Sequence, residues 1–186
     1  MESKDVYDEV NKRYGSIDKS STGQYEQTVA KSFGAKPLLT LGVVRASMSS
    51  QPQTGLVRLN MIEKANKNKI KINAENIEFV QGAITSIPLP DNTAHCIISN
   101  CVINLVPAAE KQLAFNEMYR LLRPGGRVSI SDILARKELT EDIKKNIALY
   151  VGCISGASQV SEHEAYLKKA GFWGESNLVH GRKPTD

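Results

Sequence analysis

From residue 59 onward, apolar positions fall into regular groups. Leu59, Ile62, Ala65 and Ile70 recur at helical spacing and predict an amphipathic helix over 59–70. Ile77-Glu78-Phe79-Val80 and Cys96-Ile97-Ile98-Ser99 are short apolar runs of strand length, separated by a loop over 82–92 that holds Pro88, Pro90 and Asp91-Asn92. A second helix is predicted over 108–122, with Leu113, Met118 and Leu121 on one side. Pro124-Gly125-Gly126 then reads as a turn and 127–133 as a third strand. Helices follow over 140–151 and 161–170. Thr140 with Glu141 suits the first N-terminus, Ser161 with Glu164 reads as a capping box at the second, and Gly171 suits the final stop.

Before residue 59 the pattern is weaker. Tyr7, Val10 and Tyr14, then Tyr25, Val29, Ala30 and Phe33, predict two polar helices within 3–33. Residues 35–58 show neither period and read as loop. The expected organisation is an N-terminal helical cap over 1–46, an irregular junction over 47–58 and an α/β core over 59–186. Strands alternating with helices imply an α/β fold with a parallel sheet. Sites in such sheets lie beyond the carboxyl ends of the strands, where Ser99-Asn100-Cys101 falls.

Composition narrows the function classes. A length of 186 residues suits one domain, and a net charge of +4 from interspersed lysines and carboxylates gives no basic stripe for nucleic acid. Lys64, Lys67, Lys69 and Lys71 read as a solvated helix face. No apolar run approaches the roughly 20 residues of a membrane span, and the polar Met1-Glu2-Ser3-Lys4-Asp5 start is unlike a secretory signal. Three cysteines then point to reduced thiols in the cytoplasm. His95, His163 and His180 lack metal-ligand spacing; His163 and His180 are expected at the surface. Trp173 is expected to pack, and Cys96 to fill the core within its strand.

The candidate chemistry lies in Cys101 and Cys153. Cys101 follows a buried strand by two residues; Cys153 follows a helix and stands between Gly152 and Gly156. Taken alone, the two are either soft ligands for a thiophilic ion or small buried hydrophobes.

Their surroundings are more specific. Ile97-Ile98-Ser99-Asn100-Cys101-Val102-Ile103-Asn104-Leu105, Leu149-Tyr150-Val151-Gly152-Cys153-Ile154-Ser155-Gly156-Ala157 and Leu121-Leu122-Arg123-Pro124-Gly125-Gly126-Arg127 before Val128 to Asp132 together resemble the arsenite methyltransferases. These are a branch of the class I S-adenosylmethionine methyltransferases. The resemblance is good over 59–172, weak over 5–45 and absent between. It implies a Rossmann-like sheet, methyl transfer from S-adenosylmethionine to arsenite, thiol-bound arsenic or a small thiol-like substrate, and Cys101 and Cys153 as the As(III)-binding and catalytic positions. It also implies cofactor-binding positions at Gly82, Ala83, Ile84 and Asn100, with Asn104 helping to shape the pocket.

Several features of the family are missing. No strand is followed by a G-x-G loop, the stretch 47–58 runs directly into the helix at 59, and neutral Asn60 is nearest to the place of the ribose-binding acid. Resembling sequences have Gly-Glu-Ile where this one has Gly82-Ala83-Ile84, and alanine accepts no hydrogen bond through its side chain. A further arsenic-ligand cysteine of the family has no counterpart near Leu41 to Ser47, so an arsenic site here would have two thiols unless a small thiol or Cys96 completes it. The sheet is therefore expected to be incomplete, lacking its first two strands. A second reading follows: a degenerate methyltransferase that binds arsenite without turnover, or that associates with an intact homologue. A third is a truncated or internally spliced product.

Overall fold

The computed structural model describes residues 38–40, 55–71, 73, 78–173 and 180–185. Four strands form one sheet in the order β1-β2-β3-β4: β1 is Leu38–Thr40, β2 Ala94–Asn100, β3 Leu122–Ser131 and β4 His180–Arg182. β1, β2 and β3 are parallel, and β4 is antiparallel to β3. The described α-helices are α1 Gly55–Lys71, α2 Lys111–Leu121, α3 Glu141–Lys145, α4 Ile147–Val151 and α5 Val160–Ala170. None is long and apolar enough to cross a membrane.

β2 is paired on both edges, and Ala94 and Cys96 to Ser99 are all buried, the signature of a strand covered on both faces. α2 is the crossover between β2 and β3 that parallel pairing requires. Its inner stripe, Ala114, Phe115, Met118 and Leu121, recurs at helical spacing and joins Ile97, Val128 and Ile130 in one core. α5 packs on α2 through Phe115, which stacks on Tyr166 at 5.5 Å and meets His163 edge-on at 5.0 Å. Each such ring pair adds about 1 kcal/mol beyond the area it buries.

The expected turn lies inside β3. Leu122 pairs with Ala94 and Arg127 with Cys96, so residues 123–126 loop out of the ladder. Gly125 takes φ +74 there, which an L side chain rarely adopts. Lys183 closes the exit of α2. Its backbone N donates to the Gly126 carbonyl at 2.9 Å, its Nζ to the carbonyls of Tyr119 and Leu122 at 3.2 and 2.9 Å and to Asn92 Oδ1 at 2.8 Å, and its Nζ lies 4.7 Å over the Tyr119 ring.

Among the described residues the sheet is incomplete, as expected, but one strand, β1, does stand beside β2. β1 and the first turn of α1 both come from the stretch 35–58 that the sequence reads as loop. Three residues are too short a run to show a period of two, and the partner of β1 lies far along the chain. The strand expected at 77–80 is not formed. Residues 78–82 are irregular, with no described strand alongside to complete a ladder, and Ile77 lies outside the described residues. The helix expected over 140–151 breaks at Asn146, whose extended backbone (ψ 107) ends α3 and whose side chain caps α4 by accepting from Leu149 N at 3.1 Å. α5 starts earlier than expected, so its capping box is Gln159 with Glu162, the carboxylate accepting from Gln159 N at 2.7 Å. Gly171 ends α5 as expected. Leu113 is exposed, because it lies a third of a turn off the stripe set by Ala114 and Met118. Trp173 pairs its backbone with Arg182, but its side chain is 64% exposed, not packed. The helices expected within 3–33 lie outside the described residues.

Candidate functional site

Past the carboxyl ends of β2 and β3, the chain turns sharply into two loops. Cys101 leaves β2 at φ 52, and its N–H donates to the Ser131 carbonyl at 2.9 Å, extending the β2–β3 ladder by one bond. Cys153 lies just beyond α4 at φ 66, its N–H donating to the Tyr150 carbonyl at 2.9 Å. Its thiol donates to the Cys101 carbonyl at 3.4 Å. Two cysteines 52 residues apart are thus brought into contact. Neither is in a disulfide; Cys101 is half-buried and Cys153 buried. Four described residues other than glycine have positive φ, and these two cysteines are among them. A left-handed backbone at such a residue costs about 1–2 kcal/mol, and strain of this kind gathers at ligand clamps.

A buried polar network lies behind the pair. Asn104, three residues past Cys101 in a 3-10 turn, is fully buried. Its Nδ2 donates to the Cys153 carbonyl at 3.2 Å and to the Ile133 carbonyl at 2.7 Å. Its backbone N donates to Asp132 Oδ2 at 3.1 Å. Burial raises the Asp132 carboxyl above its ordinary value, against the opposing N–H groups of Asn104 and Ile103 and the charge of Lys111. Lys111 opens α2 and is 2% exposed; its Nζ donates to the Gly156 carbonyl and, at 2.7 Å, to Ser158 Oγ. Burial brings its ammonium down to about 8, in spite of Glu162 and Asp132. Gly156 has no alternative: a Cβ there would stand 1.9 Å from the Asn104 carbonyl oxygen.

His163 is not at the surface as expected. It is 2% exposed, faces Phe115, and neither ring nitrogen has a hydrogen-bond partner among the described residues. Burial, then the nearby Lys111 charge, brings its pKa down to about 4. The signal for both residues was present. Lys111, Ala114, Phe115 and Met118 share one helical stripe, as do His163, Tyr166, Leu167 and Ala170, so both titratable groups sit on apolar faces. His95 is exposed, 3.1 Å from Arg123 Nη1. His180 begins β4.

The other candidate positions are divided. Asn100 ends β2, half-buried, one residue before Cys101. Gly82 and Ala83 are half-buried, with Ala83 bridged to Ser86 in a tight turn (2.9 Å). Ile84 is 2% exposed and belongs to the core with Ile97 and Val102. Cys96 sits buried inside β2, its thiol pKa raised by burial against the opposing pull of Arg127. Such a thiol is held in its unreactive form. Among the described residues, no three His, Cys, Asp or Glu side chains gather as they would around a metal ion.

A family model described as "Methyltransferase domain" matches residues 58–171. An arsenite methyltransferase of Halobacterium salinarum is 46% identical over 112 residues, covering 60% of this chain and 28% of that protein. An arsenite methyltransferase of Mus musculus is 36% identical over 107 residues, covering 56% of this chain and, again, 28% of that protein. The chain therefore spans less than a third of the length of these relatives. Among solved structures, an arsenic(III) S-adenosylmethionine methyltransferase from Chlamydomonas reinhardtii superposes with a TM-score of 0.54 at 27% identity, over 73% of this chain and 51% of that one.

Proposed function

Because this chain belongs to the methyltransferase-domain family, we propose that it is an arsenite methyltransferase-like protein whose Cys101 and Cys153 hold a trivalent arsenical for methylation. The single observation that supports this reading is the Cys153 thiol set against the Cys101 carbonyl across 52 residues of sequence. Deprotonated sulfurs are soft donors that prefer a thiophilic centre over hard cations, and two of them from separate loops offer a chelate. Cys101 and Cys153 would bind and orient the substrate, and arsenic's own lone pair would need no general base. Three cysteines outside any disulfide support a reducing, cytoplasmic setting.

S-adenosylmethionine is the cofactor this reading requires, and when bound it supplies an electrophilic methyl group. The described residues fit part of it. Asn100 offers an amide at the carboxyl end of β2, and Gly82 and Ala83 lie half-buried in the turn that leads into Ile84. Ala83 has no carboxylate, and Ile84 is committed to the core, so holding the base would fall to main-chain N–H and C=O groups.

That missing carboxylate favours a second reading, in which the same thiols retain an arsenical without turning it over. Calorimetric titration of the reduced chain with arsenite and with S-adenosylmethionine separates the two. Arsenite binding that is lost in Cys101→Ser and in Cys153→Ser supports the thiol site; binding indifferent to both substitutions overturns it. Methyl transfer with S-adenosylmethionine selects the enzyme, and arsenite binding without cofactor binding selects the second reading.

A further inference from the structure

Two loops hold the cysteines, and the protein spends its buried polar groups on the distance between them. Asn104 reaches the Cys153 carbonyl with its side chain (3.2 Å), the exit of β3 at the Ile133 carbonyl (2.7 Å) and, through its backbone N, Asp132 (3.1 Å). Its own carbonyl oxygen presses on Gly156, where only a missing Cβ lets the Cys153 loop approach. Lys111 takes the far end of that loop through the Gly156 carbonyl and Ser158 Oγ. The Cys101 loop is pinned to β3 by the Cys101 N–H on the Ser131 carbonyl.

We propose that Asn104 and Lys111 are positioning residues for the thiol pair, fixing the Cys153 loop against Cys101 so that one thiophilic centre can take both sulfurs. The proposal rests on the thiol site described above and goes beyond it. Neither residue touches the bound centre; each sets where the second sulfur stands. A chelating pair held by loops is only as exact as its supporting shell.

The test is titration of the reduced full chain with phenylarsine oxide, a trivalent arsenical that needs two thiols for tight binding. Asn104→Ala and Lys111→Met are compared with wild type, Cys101→Ser and Cys153→Ser. Affinity is expected to fall about tenfold in each positioning variant, the scale on which outer partners act on a bound centre. Alkylation of the individual thiols by iodoacetamide should meanwhile proceed as in wild type, which a general loosening of the fold would not allow. Lys111→Met exchanges a buried charge for an apolar chain of similar length, and it decides the matter alone if Asn104→Ala fails to fold. Binding lost in both serine variants but unchanged in Asn104→Ala and Lys111→Met overturns the positioning role alone. Binding that survives the serine variants overturns the thiol site, and this proposal with it.

Discussion

Cys153 and Cys101 meet through a thiol-to-carbonyl contact of 3.4 Å, and each residue holds a left-handed backbone, at φ 66 and φ 52. A cysteine gains nothing from that conformation by itself; asparagine or glycine would hold it more cheaply. The strain is stored where the two loops touch, not in the surrounding helices and strands.

Relief of that strain is measurable at Cys101. Cys101→Gly is expected to melt above Cys101→Ala by an amount equivalent to about 1 kcal/mol, because only glycine accepts the left-handed backbone without cost. Thermal melts of the two variants check this. Equal melting temperatures would show that the backbone at 101 is not strained.

Gly156→Ala places a methyl group 1.9 Å from the Asn104 carbonyl oxygen. The loop must retreat, at an expected cost of about 2 kcal/mol, on the scale of other overpacked sites. Urea unfolding reads the stability, and arsenical affinity should fall with it. A variant as stable as wild type would mean that the loop has room the structure does not show.

His163 gives stability a defined pH dependence. Its pKa is about 4 in the folded chain against an ordinary value of 6.5, so the unfolded chain takes up the proton first as pH falls. The folded state is favoured above pH 6.5, and that contribution is lost progressively between 6.5 and 4. The shift is worth at most about 3 kcal/mol. Urea midpoints of His163→Phe should fall less steeply over this window than those of wild type, the carboxylates cancelling in the comparison. Lys111, lowered to about 8 from 10.5, has the same sign higher up: stability rises between those two values, and Lys111→Met should flatten that rise.

Arg120 fastens the loop that follows Ile84. Its guanidinium donates to the carbonyls of Leu89 and Ile87 at 2.9 and 3.0 Å and to Glu117, which in turn accepts from Ile87 N at 2.6 Å. Arg120→Ala takes the donor from the Leu89 carbonyl and leaves the buried Glu117 carboxylate without its cation, and is expected to cost about 2 kcal/mol. Hydrogen exchange should accelerate at Ile87 and Leu89 while the β2 amides stay protected. Unchanged exchange at 87–89 would show that the loop holds without it.

The βαβ unit of β2, α2 and β3 was legible because each piece is long enough to carry its own period. β1 was not, because Leu38-Leu39-Thr40 gains its structure from a partner far along the chain. The strand expected at Ile77 to Val80 failed for the converse reason: an apolar run with no described neighbour has no ladder to join. At the site, the residue types around Cys101 and Cys153 announced the pair, but nothing local announces a left-handed φ in a cysteine. His163 was legible and misread as a surface residue, and Lys111, on the facing stripe, was passed over. A lone cation or imidazole on an apolar stripe resembles a solvated face until the opposing helix is in place.

Lys183 has a consequence in time as well as in space. It completes the last turn of α2 from a position more than sixty residues further on, through the Tyr119 and Leu122 carbonyls, and reaches back to Asn92. Contacts so distant in sequence form late and slowly, because a long stretch of chain must close before they give any return. By that measure β2, α2 and β3 are expected to assemble first around Phe115, with β1 and β4 docking on either edge afterwards.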